Sequence, residues 1–172
     1  MTIDIERLLR KVPDFPKPGI VFRDISPLLR APEAFNNAIS QMEERVKGIR
    51  VDAIVAIESR GFLFGAPLAL RMQKPLCIVR KPGKLPGETE SVQYGLEYGV
   101  DVLHVQKGAI ANGDRVLVVD DILATGGTAA ATGRLISKLG GVVVAYVFLA
   151  ELEGLSGRMN LADARVEALV RV

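Results

Sequence analysis

The chain has 172 residues, of which 49% are hydrophobic, 24% are charged and 5% are aromatic, and it contains no Trp. This length and composition are typical of a single globular domain that buries about two-thirds of its unfolded surface, and they exclude disordered and fibrous proteins. The net charge is +2, and no run of Lys or Arg is dense enough to form a nucleic-acid or membrane surface.

The first part of the chain predicts two helices with a loop between them. A stripe of apolar residues at helical spacing precedes Pro13, so a short amphipathic helix is expected there. This stripe consists of Ile5, Leu8, Leu9 and Val12. The segment from Asp14 to Ile20 holds two Pro and a Gly and predicts an extended loop. A second helix is expected from Pro32 to Gly48.

From residue 51 onward, apolar strands alternate with helices. This alternation predicts an α/β fold in which a central, mostly parallel sheet is flanked by helices. The predicted strands are Val51–Ile57, Pro75–Arg80, Val102–Val105, Arg115–Val119 and Val142–Leu149, and the predicted helices lie within Glu58–Met72 and Thr128–Leu139.

Residues 82–100 differ from the rest of the chain in composition. They hold four Gly, two Pro and several charged residues. Such a segment favours a mobile lobe or hairpin over packed core. We therefore expect a flexible lid at residues 82–100, within one domain that spans residues 1–172.

The cysteine content and the apolar runs bear on the cellular compartment. The only cysteine, Cys77, lies in an apolar stretch, so a disulfide framework is excluded and a reducing, cytoplasmic location is expected. The N-terminus has no basic region followed by an apolar block, so no leader is expected. The longest apolar run, Val142–Ala150, is shorter than the ~20 residues that span a bilayer, so a soluble protein is expected.

The segment Val116–Thr128 (VLVVDDILATGGT) joins a buried strand, two acids, a loop of small residues and the start of a helix. Parallel strands end at the edge of the sheet where open α/β folds bind ligands, so Asp120 and Asp121 are expected to face a crevice. The small residues let a phosphate approach backbone N–H groups and the positive end of the helix dipole. The acids can accept hydrogen bonds from the vicinal hydroxyls of an attached ribose.

Two common phosphate-binding loops do not match this segment. A P-loop needs a Lys after its last Gly, and the dinucleotide-binding loop needs G-x-G-x-x-G, and neither pattern is present. A purely structural explanation is that the acids only end a strand and the glycines only begin a helix. This explains each part alone, but it does not explain why they occur together. The sequence therefore favours a site for a phosphate and a ribose.

The same segment resembles the phosphoribosyl-pyrophosphate signature of the type I phosphoribosyltransferases, in which two acids precede TGGT. The resemblance implies the fold of that family, with an N-terminal hood at residues 1–30 and a flexible catalytic loop. It implies that Asp120 and Asp121 hold the ribose hydroxyls. The residues implied to cradle the 5′-phosphate are Ala124, Thr125, Gly126, Gly127 and Thr128. It also implies a homodimer and Mg²⁺ held mainly by the substrate, with no protein metal site.

Further segments resemble the adenine-specific branch of that family along almost the entire chain. The segment Phe15–Leu29 (FPKPGIVFRDISPLL) resembles the hood that reads the base, which implies that Val21, Phe22 and Arg23 bind adenine. Phe22 can stack on the ring while backbone groups beside it read N1 and the exocyclic amine. Leu152 is implied to close the base pocket by its family position alone.

Two segments resemble the pyrophosphate site of the family, namely ESRGF at residues 58–62 and RKPGKLPGE at residues 80–88. The implied pyrophosphate-binding residues are Ser59, Arg60, Arg80, Lys81 and Lys84. The Arg fork is bidentate and permanently charged, which suits a pyrophosphate. Without the resemblance, these residues are the cations of a helix cap and of a solvated loop.

The segment Leu96–Gly99 (LEYG) resembles the catalytic loop of the family. Glu97 is the candidate acid/base, because a carboxyl group near one imidazole nitrogen can manage its proton as adenine attacks through the other. Tyr98 would position the loop or the pyrophosphate, and Arg60 would help to neutralise the leaving group. The single histidine, His104, is assigned no role and is expected to be an ordinary strand residue.

The expected reaction is a purine salvage step in which adenine and phosphoribosyl pyrophosphate give AMP and pyrophosphate, through a transition state that resembles an oxocarbenium ion. One alternative keeps the fold but uses hypoxanthine, guanine or xanthine as the base. Another is a non-catalytic regulator that senses phosphoribosyl pyrophosphate and contacts nucleic acid, and it would need a basic face or an added domain. Pyrophosphate release measured with each purine base separates the three.

Overall fold

The fold is described from a computed structural model, which covers residues 4–96, 99–161 and 164–172. The strands and α-helices, in chain order, are β1 (Arg10–Pro13), β2 (Val21–Asp24), α1 (Ser26–Leu29), α2 (Pro32–Arg45), β3 (Ala53–Ile57), α3 (Gly61–Met72), β4 (Leu76–Val79), β5 (Thr89–Leu96), β6 (Gly99–Gln106), β7 (Arg115–Leu123), α4 (Gly127–Lys138), β8 (Val142–Glu151) and β9 (Arg165–Arg171). Short 3-10 helices lie at Glu6–Leu8 and Gly157–Leu161.

Five parallel strands form the central sheet, in the spatial order β4, β3, β7, β8 and β9. Every residue of β3 is buried, and so are Val116 to Val119 of β7. Strands of this kind are covered on both faces, because the connections between parallel strands place helices there. The predicted α/β class with a central parallel sheet is confirmed.

The two faces of the sheet bury alternate residues of each strand, because successive side chains in a strand point to opposite sides. On one face, Ile54 and Leu117 pack with α2 and α3. On the other face, Val55 and Val118 pack with α4 and with the hairpin formed by β5 and β6. Polar side chains are therefore left to the strand ends and the loops that follow them.

The hairpin of β5 and β6 packs against α4 and the edge strand β4. A hairpin was one of the two structures expected for residues 82–100, but the expectation that this segment lies outside the packed core is wrong for Tyr94, which is buried. Leu103 and Val105 of β6 are buried on the same face. Side chains along the hairpin alternate between facing the core and facing away from it. The abundant Gly and charged residues of the segment make this alternation hard to recognise in the sequence.

The edge strand β4 is joined to the hairpin through the backbones of Arg80 and His104, which exchange two hydrogen bonds of 2.8 and 2.9 Å. His104 lies in β6, and its Nδ1 is 2.9 Å from Thr89 Oγ1. The prediction that His104 is an ordinary strand residue agrees with this position.

The amphipathic helix predicted before Pro13 is wrong. Only Glu6–Leu8 forms a helical turn, and β1 then pairs antiparallel with β2. Ile5 and Leu9, the residues on either side of this turn, are still buried and pack in the core around α2. Pairing with a strand further along the chain overrides the helical spacing, which local periodicity does not reveal.

The remaining elements lie close to their predicted positions, with differences at the ends. Pro67 lies inside α3. Strand β7 continues beyond Val119 to Leu123, so Asp120 and Asp121 belong to the strand. The sequence did not predict β2, α1, β9 or the 3-10 helix Gly157–Leu161. No helix in the described part of the chain has the length and apolar character needed to cross a membrane.

Candidate active site

Three strands of the sheet end around one cavity of about 520 Å³. Because β3, β4 and β7 are parallel, the residues after their carboxyl ends meet at one edge of the sheet. The polar side chains that line this cavity are Glu58, Ser59, Arg60, Lys81, Tyr94, Asp101, Asp120, Asp121 and Thr128. The fold therefore brings the predicted acid pair to the same cavity as three of the five predicted pyrophosphate-binding residues.

The acid pair is partly neutralised by Arg60. Asp121 Oδ2 lies 2.7 Å from Arg60 Nε, with the Asp121 side chain 5% exposed. Burial raises the pKa of both acids, the charge of Asp121 raises that of Asp120 further, and Arg60 opposes the rise for Asp121. Within the described residues, Asp121 Oδ2 accepts no hydrogen bond of normal geometry. The pair therefore favours a ligand that brings hydroxyl donors or positive charge.

The loop between β7 and α4 encloses a smaller cavity of about 90 Å³. Its loop residues are Ala124, Thr125, Gly126, Gly127 and Thr128. Helix α4 begins at Gly127, so the unpaired N–H groups of its first turn and the positive end of its dipole belong to this cavity. Asp120 and Thr128 line both cavities. The smaller cavity, which can hold a phosphate, is therefore adjacent to the larger cavity, which lies beside the two carboxylates.

The shape of this loop depends on close backbone contacts with the 3-10 helix Gly157–Leu161. Gly126 has a φ of +80°, and a Cβ atom there would lie 2.4 Å from the Gly157 carbonyl oxygen. Asn160 Nδ2 donates a hydrogen bond of 2.7 Å to the Thr125 carbonyl oxygen. Glycine is therefore needed at position 126 for two reasons: the backbone is left-handed there, and no space is left for a side chain.

Glu58 forms ion pairs with the cationic side chains on the side of the cavity away from the acid pair. Its carboxylate pairs with Arg80, at 3.2 Å, and with Lys84, and it accepts a hydrogen bond of 2.8 Å from the backbone N–H of Lys81. Burial alone would raise the pKa of Glu58, but the hydrogen bonds from Lys84 and Lys81 lower it overall. The guanidinium of Arg80 also lies over the ring of Phe62. An ionised Glu58 thus holds Arg80 and Lys84 beside the cavity.

The hood reaches the cavity through Arg60. The Arg60 guanidinium lies 4.9 Å from the centroid of the Phe22 ring, and the edge of Phe15 packs on Phe22 at 5.2 Å. Val21 is half exposed and Arg23 is partly exposed. Of the three predicted adenine-binding residues in β2, only Phe22 is linked to the cavity by a contact that the described residues make.

Comparison with known proteins agrees with this geometry. A family model described as the phosphoribosyl transferase domain matches residues 25–162. An adenine phosphoribosyltransferase of Synechococcus sp. (strain CC9605) is 55% identical over 170 residues, which are 98% of this chain and 99% of that protein. One from Thermoanaerobacter sp. (strain X514) is 49% identical over 172 residues, or 99% of both chains. The chain belongs to the adenine phosphoribosyltransferase family.

Solved structures of the family share the fold. The adenine phosphoribosyltransferase of Thermoanaerobacter pseudethanolicus matches with a TM-score of 0.96 and 48% identity, over 98% of each chain. The Saccharomyces cerevisiae enzyme, in a complex with adenine and an imino-altritol bisphosphate, matches with a TM-score of 0.90 and 44% identity, over 96% of each chain. The predicted type I phosphoribosyltransferase fold and the predicted adenine-specific branch are confirmed.

Leu152, which the family resemblance places at the base pocket, does not line the cavity in the described structure. The Leu152 backbone N–H donates to the Leu123 carbonyl oxygen at 2.8 Å, and its side chain lines a separate surface cavity with Arg158 and Met159. Glu97 and Tyr98 lie outside the described residues.

The structure adds three residues to the site that the sequence did not indicate, namely Glu58, Tyr94 and Asp101. Tyr94 and Asp101 are opposite each other in the β5–β6 pairing. The register that pairs Leu96 with Gly99 also pairs Tyr94 with Asp101, and the alternation of side chains along the two strands was the available signal. Glu58 stands next to the predicted Ser59 and Arg60, and the available signal there was its position directly after a buried strand.

Proposed function

We propose that this protein transfers the 5-phosphoribosyl group of phosphoribosyl pyrophosphate to adenine and releases AMP and pyrophosphate, a purine salvage reaction. The observation that carries the proposal is the joined pair of cavities at the end of β7, one beside two acids and one within the loop that begins α4. The names of the relatives and the adenine bound in the yeast enzyme support it.

The donor fits the site in one direction. Its 5′-phosphate would occupy the loop of residues 124–128, and its ribose hydroxyls would donate to Asp120 and Asp121. Its pyrophosphate would then lie toward Ser59, Arg60 and Lys81, with Arg80 and Lys84 beside them. As the ribose binds, its hydroxyls compete with Arg60 for Asp121, which frees the guanidinium for the pyrophosphate.

The same groups suit the charge changes of the reaction. As the bond from C1′ to the pyrophosphate breaks, positive charge develops on the ribose and negative charge on the leaving group. The buried Asp120 and Asp121 stabilise the first, and the cations of the opposite wall stabilise the second. A closed hairpin would exclude water, which would otherwise hydrolyse the donor.

Mg²⁺ fits this site as a partner of the substrate. In the described part of the chain, no group of three or more His, Cys, Asp or Glu side chains could hold a metal. The carboxylate oxygens of Asp120 and Asp121 suit a hard cation that keeps most of its ligands from phosphate and water. When bound, Mg²⁺ would add positive charge to the pyrophosphate leaving group. Removal with EDTA should abolish turnover, and excess Mg²⁺ should restore it.

The base would bind on the hood side. Phe22 offers an aromatic face next to the cavity, and Val21 and Arg23 offer backbone groups of the same strand. In this proposal Glu97 manages the proton of the imidazole, and Tyr98 positions the closing loop.

A Glu97→Gln variant tests the acid/base assignment. We expect kcat to fall by about tenfold or more with little change in donor affinity, because the amide cannot exchange the proton. Initial rates and the dissociation constant of the donor measure both quantities. An unchanged kcat would place the proton transfer on another group.

The activity itself is tested by measuring pyrophosphate release from phosphoribosyl pyrophosphate with adenine, hypoxanthine, guanine and xanthine in turn. We expect release with adenine in large excess over the others. Release with a keto purine instead would keep the fold and change the base. Donor binding without release in the presence of any base would indicate a regulator that senses the donor.

We also propose that the protein is a homodimer. Leu63 and Leu70 are exposed on α3 and lie seven residues apart, which places them on one face of the helix. Leu70 also lines an apolar groove of about 530 Å³, together with Phe35 and Ile39. Apolar surfaces of this kind are typical of protein interfaces. Sedimentation should give a dimer for the wild type and a monomer for Leu70→Asp, and a monomeric wild type would contradict the proposal.

We propose a cytoplasmic location as well. The Sγ of Cys77 lies 2.8 Å from the Ala109 carbonyl oxygen, and burial raises the pKa of this thiol. A protonated, buried thiol is unreactive, and a single cysteine forms no disulfide within the chain, which suits a reducing compartment. Cell fractionation with the transferase activity as the marker tests this location.

A further inference from the structure

A chain of polar contacts crosses the cavity from the phosphate loop to the pyrophosphate side. Tyr94 of the hairpin is 6% exposed, and its hydroxyl lies 3.2 Å from Thr128 Oγ1 and 3.1 Å from Asp101 Oδ2. The same Asp101 oxygen pairs with Lys81 Nζ. Thr128 and Lys81, which lie at opposite ends of this chain, are thus connected through two side chains of one hairpin.

The direction of the hydrogen bonds follows from the protonation states. The hydrogen bond from Lys81 is the main cause of the lowered pKa of Asp101, so this group is a carboxylate and only accepts. Burial raises the pKa of Tyr94, so its hydroxyl keeps its proton and donates it to Asp101. The Tyr94 oxygen is then free to accept, and the Thr128 hydroxyl donates to it.

The hairpin that carries this chain is fixed along α4. Arg134 donates to the Gln93 carbonyl oxygen at 3.5 Å, and Lys138 donates to the Ser91 carbonyl oxygen at 2.9 Å. A Cβ atom on Gly127 would be 3.8 Å from the Tyr94 ring, so the ring lies directly over the start of the helix. The position of Tyr94 is therefore set by packing, and its hydroxyl has a fixed place between the two partners.

We propose that Tyr94 and Asp101 are positioning residues that hold Thr128 and Lys81 at the spacing required by the two phosphate ends of the donor. The assignment of those ends, the 5′-phosphate at Thr128 and the pyrophosphate at Lys81, rests on the proposed function. Neither Tyr94 nor Asp101 needs to touch the substrate in this proposal. Asp101 orients Lys81 directly, and Tyr94 fixes Thr128 Oγ1 and with it the first turn of α4, whose backbone N–H groups face the 5′-phosphate.

Two variants separate the two ends of the chain. In Tyr94→Phe the ring and its packing remain, and the hydrogen bonds of the hydroxyl to Thr128 and Asp101 are lost. Asp101 still pairs with Lys81, so ribose 5-phosphate should bind about three- to tenfold more weakly and pyrophosphate nearly normally. In Asp101→Asn the orientation of Lys81 is lost, so pyrophosphate should bind about three- to tenfold more weakly, with the smaller change for ribose 5-phosphate. Calorimetry on the full chain measures each ligand separately, with Mg²⁺ present.

Two control variants account for loss of stability. Tyr146→Phe removes the hydroxyl of another buried tyrosine. Asp52→Asn breaks an ion pair between the residue before β3 and Arg115, the first residue of β7, at the amino ends of these strands and away from the cavity. Both controls should bind the two ligands as the wild type does, even if their unfolding temperatures fall. In steady-state assays, Tyr94→Phe should raise the KM of the donor while the KM of adenine stays constant.

We expect one variant to weaken mainly ribose 5-phosphate binding and the other to weaken mainly pyrophosphate binding. General destabilisation would weaken both ligands together and would not give this result. Equal losses for both ligands in both variants, or no loss in either, would overturn the positioning role. Tighter pyrophosphate binding by Asp101→Asn would also overturn it, because Asp101 would then be a competitor of the ligand for Lys81. Absence of transfer to every purine base would contradict the proposed function, and the two binding measurements would still decide the role of Tyr94 and Asp101.

Discussion

The donor side and the hood side of the cavity are built in different ways. The donor side is one continuous segment, Val116–Thr128, which runs from the centre of the sheet into α4 and is held on both sides by buried neighbours. The hood is a two-stranded sheet of its own, with Phe15 and Val21 about half exposed, and it meets the cavity where Phe22 contacts Arg60. The donor side of the cavity is thus a rigid surface, and the hood side is a separate, more adaptable surface for the base.

The largest effect is expected from the acid pair. Asp120→Asn combined with Asp121→Asn removes the charge that stabilises a cationic ribose in a buried site, so kcat/KM for the donor should fall by about a hundredfold or more. Pyrophosphate release under donor-limiting conditions measures it. The Asp52→Asn variant, whose carboxylate lies at the amino ends of β3 and β7 and away from the cavity, should retain activity. A fall of less than about threefold would deny the acid pair this role.

The next effect concerns the rigidity of the phosphate loop. In Gly126→Ala the added Cβ would meet the Gly157 carbonyl oxygen at 2.4 Å, so the loop must move and donor KM should rise by about tenfold. Gly48→Ala is the matched control, because Gly48 has a similar φ of +82° but nothing within 4 Å of the added atom. Both variants share the backbone strain. If Gly48→Ala and Gly126→Ala differ only in stability and not in donor KM, the close contact with Gly157 is not what shapes the loop.

The same differences between the donor side and the hood explain which parts of the structure could be predicted from the sequence. The donor segment could be predicted because its strand, acids, glycines and helix are consecutive, so local rules of strand, loop and helix apply to it directly. The hood could not, because β1 forms only by pairing with β2, and the helical spacing of Ile5 and Leu9 suggested another structure. Long-range pairing of this kind leaves little trace in local periodicity.

Contacts inside the cavity were hidden for a related reason. The family resemblance implied that Arg60 and Lys81 bind a pyrophosphate, and the structure pairs them with Asp121 and Asp101. Asp101 reaches Lys81 only through the register of the hairpin, and Tyr94 is opposite it for the same reason. Charge pairing across elements depends on tertiary geometry, whereas residue type and spacing determine only which element carries each charge.

A smaller effect is expected on the hood. Phe22→Ala removes an aromatic face, so the KM of adenine should rise by about three- to tenfold, as stacking contributes about 1 kcal/mol, while donor binding changes little. Val21→Ala, a truncation of the half-exposed neighbour, should leave both constants near those of the wild type. Steady-state assays with each substrate varied in turn give the two constants. A rise in donor KM as large as that for adenine would show that Phe22 acts through Arg60 and not through the base.

The smallest effect distinguishes the two sides by the sign of their pH dependence. Hydrogen bonds from Ser26 and from Arg10 lower the pKa of Asp24 in the hood from 3.8 to about 2. A lowered folded-state pKa stabilises the protein above the unfolded-state value, and this contribution disappears as the pH falls from about 4 to about 2. The acid pair has raised pKa values, so its charged form opposes folding, and this cost is relieved as the pH falls through those raised values.

Urea unfolding at a series of pH values measures both contributions. Asp24→Asn should be less stable than the wild type at neutral pH, with a difference that shrinks toward zero as the pH approaches about 2. Asp120→Asn should be more stable than the wild type at neutral pH, because the amide removes the buried charge, and its advantage should decrease as the wild type takes up protons. If both differences have the same sign, the acid pair is not held at a cost in stability, and the two sides do not differ in the sign of their pH dependence.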